Sequence, residues 1–175
     1  MANTYTPIST VTVGSGGASS IDFTSISQSY TDLILKISAR TSASGNVLDL
    51  RIRVGNGNVD TGSNYKYLEL TGIPSASIVA GGGGTTDKFN TIHPGSSVTA
   101  STFGSVEVYV PNYASSDKKS MSTDAITENN SSNTQLRLQA WLWDSTSTIN
   151  TISIFPSSGT FDQYSTATLY GIKNS

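Results

Sequence analysis

Val47-Leu48-Asp49-Leu50-Arg51-Ile52-Arg53-Val54, followed at once by Gly55-Asn56-Gly57-Asn58, decides the fold. Leu48, Leu50, Ile52 and Val54 occupy alternate positions, with Asp49, Arg51 and Arg53 between them. A strand turns successive side chains to opposite faces, so this spacing gathers the apolar groups on one face and the charges on the other. The Gly/Asn run supplies a tight turn, so the strand is predicted to end there and the chain to reverse.

The same alternation recurs on both sides. Upstream, Val11 and Val13 close a strand before the Gly14 to Gly17 turn, Ser20 to Phe23 forms a short one, and Asp32 to Arg40 carries Leu33, Leu35 and Ile37 on one face. Downstream come Tyr65 to Leu70, Ser105 to Val110, a weaker Ser120 to Thr127, Gln135 to Trp143, Asn150 to Phe155 and Thr160 to Ile172. Pro111 stops the Val106-Val108-Val110 strand because proline has no N–H for the ladder. Gly72 to Ser101, with Gly81 to Gly84 at its middle, reads as one long loop, and loops of that length usually carry function or lie across a partner. Eight to ten short strands without an amphipathic helix predict an all-β single domain over residues 1–175, an antiparallel β-sandwich of jelly-roll-like type.

Composition narrows the chemistry. Only 13% of residues are charged, about three in ten are Ser or Thr, and the net charge is −2. Hydroxyls in place of ions suit an exposed β protein, and no basic field is left to hold a nucleic-acid backbone. With no cysteine, neither disulfides nor thiolate metal sites can form. Met1 to Gly17 has neither a basic start nor an apolar run, so no signal peptide is predicted and the chain is expected to be made and kept in the cytoplasm until released. No stretch has the length to cross a membrane.

Catalytic patterns are sparse. His93 is the only histidine, so a site needing two imidazoles cannot arise within one chain. A Ser-His-Asp triad would have to use it, and its Gly/Ser/Thr-rich setting reads instead as a surface loop. The Gly81 to Gly84 run lacks the lysine and following helix of a phosphate loop. Asp60, with Asn58, Ser63 and Asn64, has oxygen ligands for calcium but not EF-hand spacing, and an Asx-rich turn explains it better. The Asn-x-Ser/Thr matches at Asn129 and Asn130 are chance without secretion. The chain is predicted to be no enzyme and to take no cofactor or metal. A hydrolase using a carboxylate pair on surface polysaccharide is the competing class.

Aromatic residues are the arrangement that points to a surface. In Gln135 to Trp143, Leu136, Leu138, Ala140 and Leu142 are predicted to face the core, leaving Arg137, Gln139, Trp141 and Trp143 on the wet side. Tryptophans there call for a covering loop, a subunit or a stacked ligand such as a sugar. Tyr109, Tyr65 and Tyr67 add to the aromatic set, giving Trp141, Trp143, Tyr109, Tyr65, Tyr67 and Arg137 as interface or ligand candidates. The low charge and the aromatic face together lead to the expectation of a homotrimer.

Three stretches carry a resemblance. Ser20 to Ile26 leads through Tyr30-Thr31-Asp32-Leu33 to Ser38-Ala39-Arg40; Val108 to Ala114 is followed by Lys119-Ser120 and Glu128-Asn129-Asn130; the end reads Phe161 to Ile172. Together they resemble a family of small virion-associated structural proteins of tailed phages, especially those of aquatic bacteria and cyanobacteria. The resemblance spans nearly the whole chain, least in Gly72 to Ser101, and its motifs are strand ends and turns. It implies a place on the outside of a virion and no reaction. The expected role is a capsid decoration or cement protein contacting the major capsid protein. The alternative is a tail-fibre or receptor-binding tip, among tail proteins, that grips host glycan.

Overall fold

The structure, a computed structural model, describes residues 5–74, 78–127, 129–130 and 134–173. Ser131 and Ser132, which complete the Asn129 and Asn130 matches, lie outside the described residues, as does Glu128. The chain is all-β. Thirteen strands occur among the described residues: β1 (Tyr5–Thr12), β2 (Ile21–Phe23), β3 (Asp32–Ala39), β4 (Leu48–Asn56), β5 (Asn58–Val59), β6 (Tyr65–Gly72), β7 (Val79–Thr86), β8 (Phe89–His93), β9 (Gly104–Val110), β10 (Lys119–Ile126), β11 (Leu136–Trp143), β12 (Thr151–Pro156) and β13 (Thr166–Ile172). No helix among them is long and apolar enough to cross a membrane.

They form an antiparallel β-sandwich. One sheet has the order β1-β13-β3-β9-β10-β11-β6-β7; the other runs β2-β12-β4-β5, with β8 also paired to β4. β4 behaves as its alternation requires. Leu50, Ile52 and Val54 are buried, while Asp49, Arg51 and Arg53 lie at the surface, half-covered. Arg53 pairs with Asp87 and lies over the Phe155 ring at 5.1 Å. Ile154 of β12 stands opposite Ile52. Against this face the large sheet sets Leu33, Leu35 and Ile37 of β3 and Val106, Val108 and Val110 of β9, all buried. Each such side chain contributes about 1.5–3 kcal/mol by leaving water.

One expectation needs correction here. The segment expected as a long loop contains β7 and β8. β7 pairs with β6 from Tyr65 to Thr71, and its glycines lie beneath that strand's side chains: a Cβ on Gly83 would come within 2.5 Å of the Tyr67 ring, and one on Gly82 within 2.9 Å of Leu68. Backbone pairing and close approach, not side-chain propensity, make this a strand, so a propensity reading passes over it. The loop that does remain, 94–103, is tied down by Arg40, whose guanidinium donates to the carbonyls of Val98 and Thr99 and to Asp162.

β13 lies between β1 and β3, one strand in from the edge of the large sheet. Gly171 is needed there because the Tyr30 ring rests on it, 2.3 Å from where a Cβ would stand.

Candidate functional site

β11 reverses its expected orientation. Trp141 is 3% exposed and Trp143 2%, whereas Leu136, Leu138 and Ala140 are open to solvent and Leu142 is half-covered. The reason is that this strand is apolar on both faces, so its period cannot say which face is inward. Packing decides. Trp141 lies against Phe89 of the facing sheet, with ring centres 4.2 Å apart, and Phe89 meets Tyr65 edge-on at 4.6 Å. The Trp143 Nε1 donates to Asp60 Oδ2 at 2.8 Å. Two indoles bury more area than two leucines, so the sheet turns them in.

The sequence-derived candidates therefore divide between faces. Tyr65 is fully buried; its hydroxyl donates to the Asp60 carbonyl at 2.8 Å and accepts from the Val54 N–H at 3.2 Å. Burial pushes its phenol well above the usual value. Tyr67, beside Trp141 in register, packs on the same core. Arg137 also faces inward at the sandwich rim, 3.7 Å from Asp49 and 3.9 Å from Glu69. Trp141, Trp143, Tyr65, Tyr67 and Arg137 thus belong to the interior or its rim. They do not form a wet aromatic face, and the chain's own second sheet covers the indoles. Tyr109 alone points outward, its hydroxyl donating to Asp32 Oδ2 at 2.9 Å while Asp32 Oδ1 accepts the Asn112 N–H at 2.9 Å.

His93 is not a surface-loop residue. It ends β8, is completely buried, and shares a 2.9 Å hydrogen bond between Nδ1 and the Pro94 carbonyl. With Nδ1 protonated, Nε2 is left without a hydrogen-bond partner among the described residues. Burial holds its pKa below the ordinary value. Asp60 does what an Asx turn does: Oδ1 accepts the Gly62 N–H at 2.8 Å, and Oδ2 accepts from Asn64 and Trp143. Burial raises its pKa and these hydrogen bonds lower it, and the balance falls below the usual carboxylate value.

The β11 residues that the sequence reading places in the core belong to the most apolar part of the surface. Outward residues of the large sheet stand in rows set by the strand register. One row runs Lys36, Glu107, Asp124, Leu138, Leu70, Ala80; the next runs Tyr109, Ser122, Ala140, Leu68, Gly82. Ile126 and Leu136 pair on one side of these rows, and Leu142 pairs with Lys66 on the other. Leu68 is 69% exposed and Leu138 42%, with Leu70, Leu136 and Ile126 similar. Their exposed area is on the order of 400 Å², the scale of a functional apolar patch on a monomer. A shallow cavity of about 620 Å³ opens over Leu68, Leu70, Leu138 and Ala140, with Asp124 and Glu107 at one margin.

The two margins differ in charge. Lys36 and Glu107 are paired at 2.6 Å, and Asp124 beside them has no ion-pair partner among the described residues, leaving one negative charge. At the opposite corner Asp144 takes both Lys66, at 2.6 Å, and Lys118, at 2.5 Å, leaving one positive charge. The two ammoniums draw the Asp144 carboxyl down to about 2. A signal for this face lies in the sequence: β6 and β11 are neighbours, and each is apolar on both sides, Tyr65 and Tyr67 against Leu68 and Leu70, Trp141 and Trp143 against Leu136 and Leu138. Near-continuous apolar sequence is the pattern of strands buried on both faces. Comparison with protein-family models, curated proteins and solved structures finds no match to this chain.

Proposed function

We propose that the chain is a non-enzymatic structural protein of a phage virion, seated on the capsid exterior as a decoration or cement protein, and that it holds its place by burying its outer leucine face against a neighbouring protein. The observation that carries this is the row structure of that face: Leu68, Leu70, Ile126, Leu136 and Leu138 held outward on three adjacent strands, β10, β11 and β6, locked in register. A rigid apolar sheet face loses little entropy on docking, so its burial goes largely into affinity. The resemblance supplies the particle and the leucine face supplies the means of attachment. A glycan-gripping tail tip draws no support from the tryptophans, which are turned inward. The test is quantitative mass spectrometry of purified particles together with imaging of a labelled chain. A fixed ratio to the shell protein and label over the capsid are expected. Label at the tail alone would overturn decoration, and absence from particles would overturn the whole reading.

A further inference from the structure

We infer that the occupant of the leucine face is a second copy of this chain, docked face to face about a two-fold axis through Ala140. This rests on the reading of that face as an assembly surface and names its partner. Two observations select a copy over an unrelated protein.

The first is charge. Asp124 lies on β10 in the Leu138 row, and Lys66 lies on β6 in the Leu142 row, so Ala140 of β11 is midway between them. With strands about 4.8 Å apart and outward residues repeating every 6.8 Å or so, the two stand roughly 17 Å apart across the patch. The Asp124 corner is one charge negative and the Lys66–Lys118–Asp144 corner one charge positive. A two-fold axis in the plane of the face, perpendicular to that diagonal, brings each corner over its opposite in the partner, twice. An isologous contact requires this kind of self-complementarity.

The second is shape and area. The same rotation brings Leu138 near the partner's Leu68, and Leu70 near the partner's Ala80–Gly82 stretch of β7. There Gly82 lies under the Leu68 side chain and Ala80 carries only a methyl, so the leucine tip meets an apolar surface of low relief. An apolar centre on the order of 400 Å² with a charged rim is about half of the roughly 800 Å² that each partner of a stable complex buries, which leaves the rest to polar residues such as Ser120 and Ser122. The inward tryptophans remove the aromatic half of the case for threefold assembly.

Sedimentation equilibrium of the full 18.4 kDa chain tests this over a dilution series, at low and high salt. The expected result is a monomer–dimer equilibrium that weakens as salt screens the corners. Leu138→Asp should give a monomer whose near-ultraviolet circular dichroism, reporting the buried tryptophans, is unchanged. Asp124→Lys should weaken the dimer, and adding Lys66→Glu should restore it by exchanging the two signs. A trimer, a monomer at every concentration, or a dimer indifferent to Leu138→Asp would overturn the inference. Particle attachment of Leu138→Asp separates the two levels. A monomeric parent whose variant no longer attaches leaves the assembly face standing and removes the dimer; a variant that attaches like the parent removes the assembly face as well.

Discussion

Trp141→Ala and Leu138→Ala, two positions apart on β11, should have opposite consequences. Trp141 is buried between Phe89 and Tyr67. Its side chain withholds about 200 Å² from water, which at about 25 cal/mol per Å² is worth up to 5 kcal/mol. Since a sandwich held by two registers collapses only partly around the gap, the expected loss is about 3–5 kcal/mol. Leu138 has open solvent on its outer side, so its truncation in dilute protein should change stability by no more than about 0.5 kcal/mol. Urea unfolding followed by far-ultraviolet circular dichroism reads both, and the comparison is valid if the slope with urea is unchanged. A Leu138→Ala loss equal to or larger than that of Trp141→Ala would refute the orientation of β11 and with it everything placed on the outer face.

Three further outcomes follow from single residues. His93 is buried with its pKa held below the ordinary 6.5 by desolvation, so the unfolded chain takes up its proton first. Stability should fall as pH drops through about 6.5, with a slope of up to about 1.4 kcal/mol per pH unit, and His93→Gln should flatten that part of the pH–stability curve. The Thr123 hydroxyl is buried without a hydrogen-bond partner among the described residues; Thr123→Val should raise stability by about 1 kcal/mol, seen as a higher urea midpoint. Gly171→Ala would drive a methyl into the Tyr30 ring and should cost about 1–3 kcal/mol by overpacking, seen as a lower melting temperature.

The parts of the fold that could be read from sequence are those where only one face is apolar. β4, β9 and β3 announce themselves through Leu50-Ile52-Val54, Val106-Val108-Val110 and Leu33-Leu35-Ile37, and each buries the face its pattern names. β11 defeats the same reading because leucines and tryptophans alternate, and the choice between faces is made by Phe89 and Asp60, both distant in sequence. β7 defeats it for another reason. Four glycines carry no pattern, and the strand exists because β6 has a free edge and side chains that need flat backbone to lie on. His93 reads as exposed because its neighbours Pro94, Gly95 and Ser96 do, yet the strand before them draws the imidazole into the core. Part of the site is hidden by the same inversion: Leu136, Leu138 and Ala140, taken for core, are surface.

The most direct measurement uses a chain that has no cysteine of its own. Leu68→Cys places one thiol at the most exposed point of the leucine face. Its rate of alkylation is then followed in dilute protein, in concentrated protein and on assembled particles. Rapid reaction in the dilute chain and clear protection in both other states is the expected result. A rate that stays the same in all three would contradict the claim that this face exists to be covered.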